Sequence, residues 1–213
     1  MKNGIRAVLW DFGGVILSSP FEAFNRYETE HSLPLNTIRT INAQNPDSNA
    51  WALLERNDIT PAQFDTLFAA EAADMGHHIP GADVLALLSG DVRPHMVDAL
   101  DQVIEAGFLT ACLTNNVVST SPDPSPRQAL VRDIMARFHH VVESSKVGCR
   151  KPEPRFYEIA CELLEVSPPE CVFLDDLGIN LKPAAAMGMR TIKVGDPIVA
   201  LDELSSHIGL SFS

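Results

Sequence analysis

IRAVLWDFGGVIL (residues 5–17) is an apolar run that stops at Asp11 and continues, after Phe12, into Gly13 and Gly14. An unbroken apolar run of this length, closed by an acid and a turn-forming pair, reads as a strand buried on both faces with a carboxylate at its tip. Four later runs have the same form: FLTACL (108–113), HVVE (140–143), CVFL (171–174) and TIKV (191–194). Helical spacing separates them. Val97, Leu100, Val103 and Ile104 recur on one face ahead of Gly107, and Phe156, Ile159, Ala160, Leu163 and Leu164 do so after Pro154. A further helix is predicted from Asn180 to Met187, ended by Gly188. Strands alternating with helices predict an α/β fold, a Rossmann-like doubly wound parallel sheet with right-handed crossovers.

Residues 18–89 break the alternation. They lack a convincing strand and are predicted to form a helical insertion, leaving 1–17 and 90–213 as the α/β core. Within the insertion, TPAQF (60–64) carries a complete helix start. Thr60 can cap, Pro61 suits the first helical position, and Gln63 can bond back to the cap, which predicts a helix from Pro61 to about Ala73. VVSTSPDPSPR (117–127), with three prolines, reads as a loop.

At 213 residues the chain suits one core with an inserted element. Its formal net charge of -12 disfavours nucleic acid and anionic membrane surfaces, so an anionic small substrate needs a local basic site. The four cysteines (Cys112, Cys149, Cys161, Cys171) form no CxxC pair, and the pairs His77/His78 and His139/His140 lack metal-ligand spacing. Reduced thiols and the absence of a signal-peptide or membrane-spanning run lead to the expectation of a soluble cytoplasmic protein. Oligomeric state is not legible.

In open parallel sheets ligands gather at the carboxyl ends of the strands, near the point where strand order reverses. The polar residues following the runs are therefore the candidates: Asp11; Thr114, Asn115 and Asn116; Lys146, Arg150 and Lys151; Asp175 and Asp176. Carboxylates from two strands suit Mg²⁺, and like charges so placed favour a cation between them. Threonine, backbone N–H groups and a lysine suit a phosphoryl group, and a carboxylate can act as nucleophile. Taken singly, each residue has a structural reading: Asp11 in a Gly-rich turn, Thr114 as a cap, Lys151 as a solvated lysine. Cys112 and the histidines read as structural. Trp51, Phe64 and Phe68 read as insertion core, with Phe21, Phe24 and Trp51 also candidates for a pocket mouth.

The segments DFGGV (11–15), LTNN (113–116), KVGCRKPEPRFY (146–157) and FLDDLGINLKPAAAMGM (173–189) resemble, in order, the four motifs of the haloacid dehalogenase superfamily. The likeness is greatest to the amino-terminal phosphatase-like domain of soluble epoxide hydrolases and small stand-alone bacterial relatives, and ERNDITPAQF (55–64) resembles their cap segment. The resemblance implies a helical C1-type cap over the core and a Mg²⁺-dependent phosphatase of a small phosphorylated molecule. It makes Asp11 the nucleophile and metal ligand, with the Gly13 carbonyl and Asp176 completing the metal site. Thr114, Asn115 and Lys151 would bind the phosphoryl group, Thr114 and Lys151 would assist catalysis, and Asp175 and Asn180 would support them. Most phosphatases of the superfamily carry a second Asp where this chain has Gly13. General acid–base help contributes about 10² to 10⁴ in rate, so two alternatives stay open. One is a haloacid dehalogenase-type hydrolase, and the other a non-catalytic phosphoryl-ligand-binding protein.

Overall fold

The computed structural model describes residues 4–88, 90–116 and 126–212. In chain order its elements are β1 (Ala7–Trp10), α1 (Pro20–Glu30), α2 (Thr37–Ala43), α3 (Ala50–Glu55), α4 (Pro61–Asp74), α5 (Gly81–Ala86), α6 (Pro94–Glu105) and β2 (Leu109–Thr114). There follow α7 (Pro126–Met135), β3 (His140–Glu143), α8 (Ser144–Val147), α9 (Pro154–Leu164), β4 (Cys171–Asp175), α10 (Gly178–Ala186), β5 (Arg190–Lys193) and α11 (Pro197–Ile208). The strands form one parallel sheet in the order β3-β2-β1-β4-β5.

The apolar runs of the three inner strands, β1, β2 and β4, follow from burial on both faces. Along β1, Val8 and Trp10 join the cluster built with α6, α7 and α11, while Ala7 and Leu9 join the one built with α9 and α10. The chain runs one way from central β1 to β2 and β3, then returns to the other side for β4 and β5. Sequence order therefore reverses at the β1/β4 junction. Trp10 pairs with Leu174 there, so the next residues, Asp11 just past β1 and Asp175 at the last position of β4, stand side by side at the sheet's carboxyl edge.

Helices α1–α5 enclose a separate apolar cluster of Phe24, Ile38, Ile41, Leu54, Phe64, Phe68, Ile79 and Val84 among others. Phe64 stacks on Phe68 with ring centroids 5.4 Å apart and meets Trp51 edge-on at 5.6 Å. Each fully buried ring contributes about 1.5–3 kcal/mol by leaving water, which lets these short helices hold together. Thr60 and Gln63 form the reciprocal cap read from the sequence, with the Gln63 Oε1 accepting from the Thr60 N–H at 2.8 Å. The chain enters and leaves this unit along one antiparallel crossing, where Leu17 pairs with Val92 and the Ser18 N–H donates to the Asp91 carbonyl at 2.7 Å. A Cβ at Gly90 would collide with the Ser18 carbonyl, so glycine permits that close approach.

Two local expectations change, and one helix is added. The segment read as a loop from 117 to 127 lies outside the described residues up to 125, but Pro126 and Arg127 open α7, with the proline at the start of the helix. Helix α10 begins at Gly178 rather than Asn180 and tolerates Pro183 within it. The unread α11 had full signals: Asp196 caps the Ile198 and Val199 N–H groups, Pro197 follows, and Gly209 closes the helix in the left-handed region.

Candidate active site

Asp11 leaves β1 buried, its Oδ1 accepting from the Phe12 N–H at 2.6 Å. Lys151 is 1% exposed, and its Nζ lies 2.7 Å from Asp11 Oδ1 and 2.8 Å from Asp175 Oδ2. Asp175 is saturated with donors, because the Leu177 N–H reaches its Oδ1 at 2.8 Å and the Asn180 Nδ2 reaches both oxygens at 3.1 Å. Asn180 is itself fixed through its carbonyl, which accepts from the Tyr157 hydroxyl at 2.7 Å. Asp175 and Asn180 thus steady the lysine rather than face open space. Asn115 completes the setting: its Oδ1 accepts from the Lys151 N–H at 2.9 Å and its Nδ2 donates to the Lys151 carbonyl at 3.0 Å.

Carboxylate oxygens of Asp11, Asp175 and Asp176 all lie within 4.8 Å of one another. Asp175 is taken up by Lys151 and Asn180, so Asp11 and Asp176 are the two of the three that could hold a cation. Asp176 accepts from the Ser19 hydroxyl at 3.1 Å. It packs over Gly14, whose φ of +75° suits glycine and where a Cβ would collide with the carboxylate. The donor set fits Mg²⁺: it is all oxygen, comes from two strands, and sets three acids against one buried ammonium.

Electrostatics agree with that fit. Burial pushes the Asp11 carboxyl well above its usual range; Lys151 opposes this, and Asp175 and Asp176 add to it. Asp176 is raised for the same leading reason, burial, and then by Asp175. Burial alone would lower the Lys151 ammonium, but the Asp11 and Asp175 charges outweigh it and hold the lysine protonated.

The remaining candidates divide. Thr114 ends β2 buried, its hydroxyl without a hydrogen-bond partner among the described residues. Asn116 is turned aside to Glu143 at 2.7 Å and Ser145 at 2.8 Å. Lys146 is corrected from the candidate set, being exposed and paired with Glu143. Arg150 faces Glu55 of α3. Gly13 is half-buried, has an ordinary φ of -69°, and would set a Cβ in open space. Cys112 is buried, its thiol pushed up by burial and by Asp11, and His139 Nδ1 accepts from the Thr110 N–H at 3.1 Å; both are structural. Sequence reading missed Ser19, Glu55 and Arg93, whose Nη1 donates to the Gly14 carbonyl at 2.6 Å. Their partners are 79 or more positions away for Arg93 and Ser19, so no local pattern signals them.

The family model described as haloacid dehalogenase-like hydrolase matches residues 5–188. The chain belongs to that family. This haloacid dehalogenase-like hydrolase is 30% identical over 97% of its length to bifunctional epoxide hydrolase 2 of Sus scrofa, but spans only 39% of that relative. It is 28% identical to the sesquiterpene phosphatase astK of Aspergillus oryzae, covering 98% of this chain and all of the relative. Among solved structures, a haloacid dehalogenase family enzyme of Bacteroides thetaiotaomicron in complex with magnesium and inorganic phosphate superposes with a TM-score of 0.56. It is 21% identical, covering 90% of this chain and 96% of its own, and shares the fold. Among the described residues no helix is long and apolar enough to cross a membrane.

Proposed function

We propose that this hydrolase is a Mg²⁺-dependent phosphatase of a small phosphomonoester, working through a phosphoryl group carried on Asp11. The supporting observation is the buried Asp11–Lys151–Asp175 chain with the Asp176 carboxylate beside it. Asp11, Asp176 and the Gly13 carbonyl would hold Mg²⁺, which would supply charge neutralisation for the phosphoryl oxygens. Asp11 attacks phosphorus, the P–O bond to the leaving group breaks with its electrons going to that oxygen, and water then hydrolyses the acyl-phosphate and frees the carboxylate. Lys151 neutralises charge on Asp11 and the phosphoryl group. Thr114 offers its hydroxyl. Asn115, whose side chain is committed to Lys151, offers its backbone N–H. Residues 18–89 serve as the substrate-selecting cap over a core of residues 1–17 and 90–213.

Gly13 supplies no proton to the leaving group, so the best substrates are those whose leaving oxygen needs little protonation, such as an anomeric sugar phosphate. The four unpaired thiols support a reducing, cytoplasmic setting. Hydrolysis of a phosphomonoester panel with Mg²⁺ tests the reading. Turnover is expected for the native protein and not for Asp11→Asn; equal rates for the two would overturn it. Gly13 also favours a second reading, a phosphoryl-ligand-binding protein without turnover. Mg²⁺-dependent phosphate binding with no hydrolysis across the panel would establish that instead.

A further inference from the structure

The loop that carries Lys151 is gripped by two consecutive residues of the helical insertion. Glu55, the last residue of α3, accepts through Oε2 from Arg150 Nε at 2.5 Å and from Asn115 Nδ2 at 3.1 Å. Its Oε1 accepts from the Trp51 indole N–H at 2.9 Å. Arg56, the next residue, donates to Glu153 from Nε at 3.0 Å and from Nη2 at 2.6 Å. Arg150 also reaches the Pro46 carbonyl at 3.0 Å, and Arg56 the Asp47 carbonyl at 2.9 Å. Residues 150 and 153 flank Lys151 and Pro152, so each side of the lysine's loop is tied to the insertion. Asn115 is shared between Glu55 and both backbone groups of Lys151.

Exposed ion pairs contribute little, but this one is largely shut from water, with side-chain exposures of 13% for Arg150 and 8% for Glu55. Such a pair is costly to break and holds its groups in one geometry. It ends on the residue preceding the lysine and on the amide that holds the lysine's backbone. Burial raises the Glu55 carboxyl, and Arg150 draws it back toward the charged form.

We infer that Glu55 is a positioning residue: it makes the placement of Lys151 between Asp11 and Asp175 depend on the insertion being seated on the core. With Glu55 in place, Arg150 and Asn115 are both satisfied and the Lys151 backbone is fixed. Without it, Arg150 loses its carboxylate, the Asn115 amide is held by the Lys151 backbone alone, and the ammonium's aim at Asp11 loosens. The catalytic consequence rests on the role of Lys151 proposed above; the structural one does not.

Amide hydrogen exchange across residues 148–153, measured on the intact chain, tests the inference. Glu55→Gln keeps the side chain's size but removes the charge facing Arg150 and one of the two acceptor oxygens, so that Trp51 and Asn115, which bond to different oxygens of Glu55, compete for one. The Lys151 N–H should exchange about tenfold faster in this variant, while the amides of β1 keep the native rate. Arg56→Gln, which leaves no orphaned buried charge, should speed the same segment through Glu153. Arg137→Ala, at an exposed pair with Asp101, should leave it unchanged. On a substrate the native protein turns over, Glu55→Gln should lower kcat by about tenfold, within the roughly 10²-fold range of a misplaced group, with a smaller change in KM. Arg150→Gln added to Glu55→Gln should cost little more than the single change. Native exchange rates over 150–153 in both Glu55→Gln and Arg56→Gln would overturn the inference, as would losses that add in the double variant. If no hydrolysis is found at all, the proposed reaction fails, while the exchange rates still decide the positioning role.

Discussion

Replacing Gly13 by aspartate places a carboxylate two positions after Asp11, the proposed nucleophile, and the structure sets the size of the effect. The backbone at Gly13 has φ -69° and ψ 135°, open to any residue, and nothing lies within 4 Å of the Cβ that would be added. The substitution therefore introduces no strain, and by restricting the unfolded chain it should stabilise by about 0.4–1 kcal/mol. Against this stands charge. The site holds three carboxylates and one ammonium, and a fourth acid raises its net negative charge, so the observed stability should stay within about 1 kcal/mol of native. If protonation of the leaving group limits turnover, a positioned acid should raise kcat by about 10² to 10⁴, or roughly 3–5 kcal/mol of barrier. The assay is steady-state hydrolysis of an alkyl phosphate and an aryl phosphate with Mg²⁺, alongside urea unfolding. The gain should be larger for the alkyl ester, whose alkoxide leaves poorly unless protonated. A folded Gly13→Asp protein with unchanged rates on both esters would refute the claim that the missing acid limits this site. A stability loss well beyond 1 kcal/mol would refute the claim that the position is sterically open.

Two further predictions concern charge. Lys151→Met leaves Asp11 and Asp175 facing each other without the buried ammonium, which should cost about 3–5 kcal/mol and lower Tm by roughly 6–20 °C; a loss below about 1 kcal/mol in urea unfolding would contradict the geometry. Glu170 accepts from the Ser167 N–H and hydroxyl, both at 2.8 Å, and the bond from the backbone N–H is the main reason its carboxyl is lowered. A lowered carboxyl stabilises the fold above its unfolded pKa and loses that contribution as pH falls through the folded value. The Tm advantage of the native protein over Glu170→Gln should therefore be present at pH 7 and shrink below about pH 4. An advantage that does not vary with pH would refute it.

Much of the fold is legible because its signals are local. Five apolar runs became the five strands, most within a residue or two; burial on both faces keeps β1, β2 and β4 almost uninterruptedly apolar, while the edge strands β3 and β5 are partly exposed and admit Glu143 and Lys193. Thr60, Pro61 and Gln63 announced α4 within four positions of one another. Where reading failed, a proline was given the wrong meaning: Pro126 opens a helix, whereas three prolines in a short stretch suggested only a loop. At the site, Asp11, Thr114 and Asp175 could be placed from the strand ends they occupy, but Lys146 stands equally near a strand end and points to solvent.

The order of residues by itself determined the alternation of strands and helices, and the acidic, hydroxyl and basic groups delivered to the sheet's carboxyl edge. Periodicity, capping and turn chemistry act over a few residues, so they can be read one segment at a time. Only the tertiary structure decided which of those groups face one another. Lys151 lies between Asp11 and Asp175, Asn115 turns its amide to the lysine's backbone rather than outward, and Glu55 reaches across to Arg150. These pairings join residues 24 to 140 positions apart, counted from Lys151 to Asp175 and to Asp11. They depend on strand register and on how the insertion seats against the core, and both are set by packing that no single segment contains.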